Sequence, residues 1–273
     1  MERLTAADRV MLWPDARWPQ EIGAVAVLDG GALVDPDGHF RIEPVRDRVQ
    51  SRLHLVPRFR QLLHTPRRGL GGPLWIDATA FDLDQHVRVV PLPAPGDEAA
   101  LLQAVERLRE RRLDRSRPLW QMCLLPGLAD NRIGLFVRMH HAIADGIAGI
   151  ATVGTFLDPV AHPPTAPSPP WTPAPAPGTT ELFIDNLRRR ARRFGRGTAA
   201  LAHPKTMSGQ LRTAWSALRA PPAPDPETRT SLNRTVGPGR TLAVIRTRLD
   251  LVADIAHAHG ATVNDVLLAA TAG

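Results

Sequence analysis

The chain has 273 residues, 43% of them hydrophobic and 22% charged, which suits one large or two small globular domains and excludes a wholly disordered or collagen-like chain. Its one cysteine, Cys123, rules out an internal disulfide and a multi-thiolate metal centre, and points to a reducing compartment. The net charge of +7 is local: Asn186 to Pro224 holds eight arginines and Lys205 with no acid, so the rest of the chain carries −2 and the charge by itself does not imply nucleic-acid binding.

In chain order, Glu21 to Leu28 reads as a strand, and Pro44 to Val56 as a helix with Val45, Val49 and Leu53 on one face. Gly96-Asp97 opens a second helix, with Leu101, Leu102, Val105 and Leu108 on one side and an end near Leu113. Two strands are expected next, Leu119 to Leu125 and Arg132 to Met139. In the second, Ile133, Leu135, Val137 and Met139 alternate with Gly134, Phe136 and Arg138. It runs straight into His140-His141, and after Asp145-Gly146 the spacing of Ile147, Ile150, Val153 and Leu157 turns helical. Residues 159 to 177 hold nine prolines and should run as an extended linker. Beyond the basic stretch lie a second proline cluster at 221 to 226, a strand expected from Thr241 to Leu249, and a helix from Asp250 to His259 closed by Gly260. Another helix opens at Thr262-Val263-Asn264-Asp265, where Thr262 and Asp265 form a short-armed capping box. The expected parts are an N-terminal domain (1–157), a proline-rich linker (158–180), a basic helical segment (181–226) and a strand-helix piece (227–273).

The segment that carries chemistry is His140-His141-Ala142-Ile143-Ala144-Asp145-Gly146. Adjacent side chains on a strand point to opposite faces, so the two histidines share a pocket only if the strand has already broken. A neutral histidine can take a proton from a hydroxyl as it attacks a carbonyl. An Asp four residues on can order the turn, and Gly146 permits close backbone approach. The segment offers too few ligands for a metal, and the chain has no nucleophile elbow, dinucleotide fingerprint or P-loop.

This pattern resembles the HHxxxDG signature of the CoA-dependent acyltransferase superfamily, which includes chloramphenicol acetyltransferase-like enzymes and peptide-synthetase condensation domains. Leu4 to Asp8 (LTAAD), Pro118-Leu119-Trp120 and Asn264-Asp265 narrow the resemblance to the bacterial wax ester synthase/diacylglycerol acyltransferase family, over the whole chain. The resemblance implies an α/β chloramphenicol acetyltransferase-like fold, a mixed sheet with flanking helices. It implies acyl-CoA as substrate and no bound cofactor or metal, with a fatty alcohol or diacylglycerol as acceptor. His141 would be the base, His140 its less certain neighbour, and Asp145 and Gly146 would hold the loop. Pro118, Leu119 and Trp120 would support the substrate channel, although a strand start with a buried Trp explains them equally well. Asn264 would lie near the reacting groups, whereas helix capping alone explains Asp265.

Family members are longer and carry a second domain, so the resemblance also implies a truncated chain. A missing wall should leave the surroundings of Trp120, Met122 and Leu124 facing solvent, with self-association and weak activity of the isolated chain as the expected outcome. A condensation-type domain, or a noncatalytic paralogue binding lipid surfaces or a full-length relative, are the alternatives. No run of about 18 apolar residues occurs and the N-terminus lacks a secretion-signal pattern. A cytoplasmic location is expected, peripheral at the inner membrane face or lipid bodies if Arg188 to Arg196 docks on anionic lipid.

Overall fold

The computed structural model describes residues 2–12, 15, 20–143, 146–158, 169–201 and 239–272. The chain divides into two compact units, Met1–Ala199 and Ala200–Gly273. The first contains β1 (Glu2–Arg3), α1 (Ala6–Leu12), β2 (Glu21–Asp29), α2 (Glu43–Arg52), β3 (Gln61–His64), β4 (Leu74–Asp77) and β5 (Val87–Val89). It continues through α3 (Glu98–Glu110), β6 (Trp120–Pro126), β7 (Arg132–His140), α4 (Gly146–Gly154) and most of α5 (Thr179–Leu201). A mixed four-stranded sheet in the order β2-β7-β6-β5 carries the histidine motif, and β1-β4-β3 form a smaller antiparallel sheet. In the larger sheet only β5 and β6 run parallel.

Local chemistry starts these elements. Asp97 caps α3 by accepting the Ala100 N–H at 2.8 Å. At α1 the Thr5 hydroxyl accepts the Asp8 N–H at 3.1 Å while the Asp8 carboxylate accepts the Thr5 N–H at 3.0 Å, so the LTAAD stretch is a reciprocal cap. Strand β7 shows the expected alternation on one side only in part of its meaning. Ile133, Leu135, Val137 and Met139 join Val49, Leu53, Phe59, Trp120 and Phe156 in the main core. The other face, with Gly134, Phe136, Arg138 and His140, is buried too. The cause is tertiary: β7 lies between β2 and β6, and α3 approaches so closely that a Cβ on Gly134 would stand 2.5 Å from Leu101 Cδ1.

Three expectations change. Trp120, Met122 and Leu124 are 1%, 3% and 1% exposed, so they are core and do not face solvent. Among the exposed apolar side chains, Val25 and Val27 lie on edge strand β2 at 41% and 49% exposed. Among the prolines, 159–168 and 221–226 lie outside the described residues, but 169–178 is extended and attached: Trp171 sits under the Arg60 guanidinium at 4.5 Å, and the Ala174 N–H donates to Asp77 at 2.9 Å. The first compact unit therefore runs on past residue 157 through this stretch, and Arg3 holds Asp185 of α5 at 2.6 Å.

The second unit contains α6 (Leu249–Ala258) and α7 (Val263–Ala272) among its described residues. The stretch expected as a strand, 241–248, is irregular with Ile245 89% exposed, since it pairs with no described strand and a lone strand has no ladder to stabilise it. Helix α6 ends as expected on Gly260, at φ 59°, with Ala261 N–H donating back to the Ala256 carbonyl at 2.8 Å. The Thr262–Asp265 cap forms: Asp265 accepts the Thr262 N–H at 2.8 Å and its own N–H reaches the Thr262 hydroxyl at 3.2 Å.

Candidate active site

Strand β7 carries the motif to the end of the sheet. The His140 N–H donates to the Leu119 carbonyl at 2.9 Å, beside the register pair Trp120 and Met139, and the His141 N–H donates to the Gln20 carbonyl at 2.8 Å. Backbone bonds from both flanks thus fix the point where the strand gives way to the turn at 141–143. Gly146 opens α4, whose Val153 packs on the core; Asp145 lies outside the described residues.

The two histidines differ. His140 is 3% exposed, and its Nδ1 accepts the Ala142 N–H at 3.0 Å, bracing the turn from within. Its Nε2 points at Asp15 Oδ1 from 3.4 Å and makes no hydrogen bond among the described residues. Burial pushes the His140 pKa down, and Asp15 offsets this only in part. Burial pushes the Asp15 carboxyl up, but the Gln20 N–H, Arg115 and His140 outweigh it and leave Asp15 below the usual carboxylate range. His140 is therefore a buried neutral imidazole with one acceptor already committed. His141 is partly exposed, and among the described residues its ring has no hydrogen-bond partner. Of the pair, His140 is buried and His141 is partly exposed.

Trp120 opens β6 inside a ring stack: Phe59 lies 4.4 Å and His86 4.7 Å from it, and its Nε1–H donates to the Phe59 carbonyl at 2.8 Å. Pro118 and Leu119 are buried beside it. Asn264 and Asp265 are exposed on α7 in the second unit. Asp15, His86 and the buried pair Arg138–Glu21 (3.2 Å) were missed from the sequence, because single polar residues scattered among arginines carry no local spacing signal. Among the described residues Asp35, Asp37 and His39 could together reach a cation, but they form an exposed turn bonded within itself.

A pH dependence of stability follows. His86 and His140 are both held below the ordinary imidazole value by burial, so the unfolded chain binds protons that the folded chain resists. Their contribution is complete above the unfolded pKa of ~6.5 and is lost as pH falls from there through the lower folded values. Denaturant unfolding between about pH 7.5 and 5 should show stability dropping by up to ~1.4 kcal/mol per pH unit for each imidazole. His86→Phe should remove part of that slope; a flat profile in the parent chain would contradict this account.

The mixed sheet with its flanking helices has the chloramphenicol acetyltransferase-like fold. Residues 4–267 match the model of the wax ester synthase/diacylglycerol acyltransferase catalytic domain, and the chain belongs to that family. It is similar to the probable diacylglycerol O-acyltransferase tgs3 of Mycobacterium tuberculosis H37Rv, 36% identical over 246 residues that cover 85% of this chain and 86% of that one. It is also similar to the putative diacylglycerol O-acyltransferase Rv3087 of the same organism, 33% identical across 100% of this chain but only 58% of the relative. The wax ester synthase/diacylglycerol acyltransferase of Marinobacter aquaeolei VT8 superposes with a TM-score of 0.59 at 25% identity, over 96% of this chain and 57% of that structure. The chain thus spans nearly the length of one relative and somewhat over half of the others. No described helix is long and apolar enough to cross a membrane.

Proposed function

We propose that this chain transfers an acyl group from acyl-CoA to the hydroxyl of a fatty alcohol or diacylglycerol, with His141 as general base. The observation that carries the reading is the contrast within the pair: His140 is buried and bonded to the turn, whereas His141 is partly exposed. The His141 imidazole accepts the acceptor's hydroxyl proton while that oxygen attacks the thioester carbonyl, and returns the proton to the departing CoA sulfur as the C–S bond breaks. One ester and one CoA thiol form, with no acyl-enzyme. His140 acts as a positioning residue through the Ala142 N–H, and Asp145 and Gly146 set the turn. Pro118, Leu119 and Trp120 support the site through the core.

The test is the purified chain with labelled palmitoyl-CoA and either hexadecanol or diacylglycerol. Appearance of wax ester or triacylglycerol supports the reading; release of free fatty acid alone, or no turnover, refutes it for this chain. Trp120, Met122 and Leu124 are covered by the chain's own core. A covering domain or second copy would meet the apolar edge of β2 instead.

The lipid surface is part of the same proposal. Helix α5 turns Leu182 and Asp185 inward and leaves Phe183 and Leu187 54% and 57% exposed beside exposed Arg188, Arg189 and Arg190. Peripheral attachment predicts binding to anionic vesicles that weakens with added salt and with Arg188, Arg189 and Arg190 changed to Gln. No binding to such vesicles at low salt would return α5 to a solvated face.

A further inference from the structure

A cleft of about 430 Å³ opens between the C-terminal half of α3 and strands β5, β6 and β7. Six arginines line it, Arg88, Arg107, Arg111, Arg112, Arg117 and Arg138, against one carboxylate, Asp114. Arginine abundance alone does not account for this. Outside the basic stretch from Asn186 to Pro224 the chain is slightly acidic, so six cations facing one acid are a local excess built from three separate parts of the sequence.

The six are not equivalent. Arg138 is buried against Glu21 and Gln121 and donates to the Arg111 carbonyl at 2.6 Å, so it serves the scaffold. Arg117 lies 3.4 Å from Asp114, and Arg112 donates to the Asp15 carbonyl at 2.6 Å. Arg88, Arg107 and Arg111 are exposed, and none has a carboxylate within ion-pair distance among the described residues. Like charges gathered without counter-ions raise the free energy of the empty cleft, and a ligand bearing negative charge relieves it. Planar guanidinium forks match phosphate oxygens two at a time, and the volume falls in the range of small-molecule sites, larger than one phosphate requires. Val90, Leu108 and Leu113 add apolar wall that a bare inorganic anion would not use.

We propose that this cleft binds a nucleotide carrying several phosphates, with Arg88, Arg107 and Arg111 making the phosphate contacts. The 3′-phosphorylated ADP portion of CoA and a free nucleotide share that chemistry; the first source rests on the acyltransferase reading, the second does not.

Titration calorimetry of the full chain at low salt, with adenosine 3′,5′-bisphosphate, ADP, CoA and inorganic phosphate, tests it. At least one nucleotide should bind, more weakly as salt rises, and the variant R88Q/R107Q/R111Q should lose at least about tenfold in affinity with an unchanged melting profile. If that variant melts early, R107Q and R111Q singly should each show a smaller loss. CoA and the bisphosphate binding more tightly than ADP assigns the cleft to CoA; ADP binding equally well assigns it to a free nucleotide. No nucleotide binding, binding unchanged in the variants, or phosphate binding as tightly as any nucleotide overturns the proposal. Ester formation from acyl-CoA and from a phosphate-free acyl-pantetheine separates the two readings. If esters form and the triple variant leaves the KM for acyl-CoA unchanged, the CoA assignment falls and acyl transfer stands. If nucleotide binds as expected but no ester forms, the cleft stands and acyl transfer falls.

Discussion

Replacing His141 by alanine should lower ester formation by roughly 10²- to 10⁴-fold, the range for losing a positioned general base. The fold should survive, because the His141 ring has no hydrogen-bond partner among the described residues and its backbone bond to Gln20 does not depend on the side chain. His140→Ala should behave differently. It removes a buried ring, leaves the Ala142 N–H without its acceptor and deprives Asp15 of its neighbour, so stability should fall by about 1–3 kcal/mol along with activity. Steady-state rates together with denaturant melts separate the two: His141→Ala loses rate at constant stability, whereas His140→Ala loses both. Full activity in His141→Ala would remove the proposed base, whatever the other variant does.

Trp120→Ala should be the most damaging substitution in the core, costing about 3–5 kcal/mol. The indole is 1% exposed, stacks on Phe59 and His86, and donates to the Phe59 carbonyl, so truncation opens a cavity, separates two rings and strands a buried acceptor at once. Trp120→Phe keeps most of the stack and loses the hydrogen bond, so it should retain the larger part of the stability. Equilibrium unfolding of both variants provides the measurement. A Trp120→Ala chain as stable as the parent would mean that the side chain serves only a channel and does not support the core.

Much of the local structure was legible because it is set by neighbours in sequence. Asp97 ahead of α3, Gly260 after α6 and the Thr262–Asp265 cap are contacts within a few residues, and each forms as its residue types require. The motif was legible for a similar reason: an apolar alternation ending in His-His, then Asp-Gly, marks a strand end and turn whatever surrounds it. The same stretch could not tell which histidine is buried, since that depends on Asp15, far away in sequence, and on β2 and β6 flanking the strand end.

What the sequence by itself determined, then, was the order of most elements and the segment that bears the histidines, which follow from spacing and local propensity, and, through the resemblance of its motifs, the family. Only the tertiary structure decided that both faces of β7 are covered, that Trp120 is core, that 241–248 forms no strand, and that arginines from 88 to 138 meet in one cleft. The physical reason is the same in each case: burial, pairing and net field are properties of what packs alongside a residue, and a one-dimensional pattern states the side chain's preference but not its neighbours.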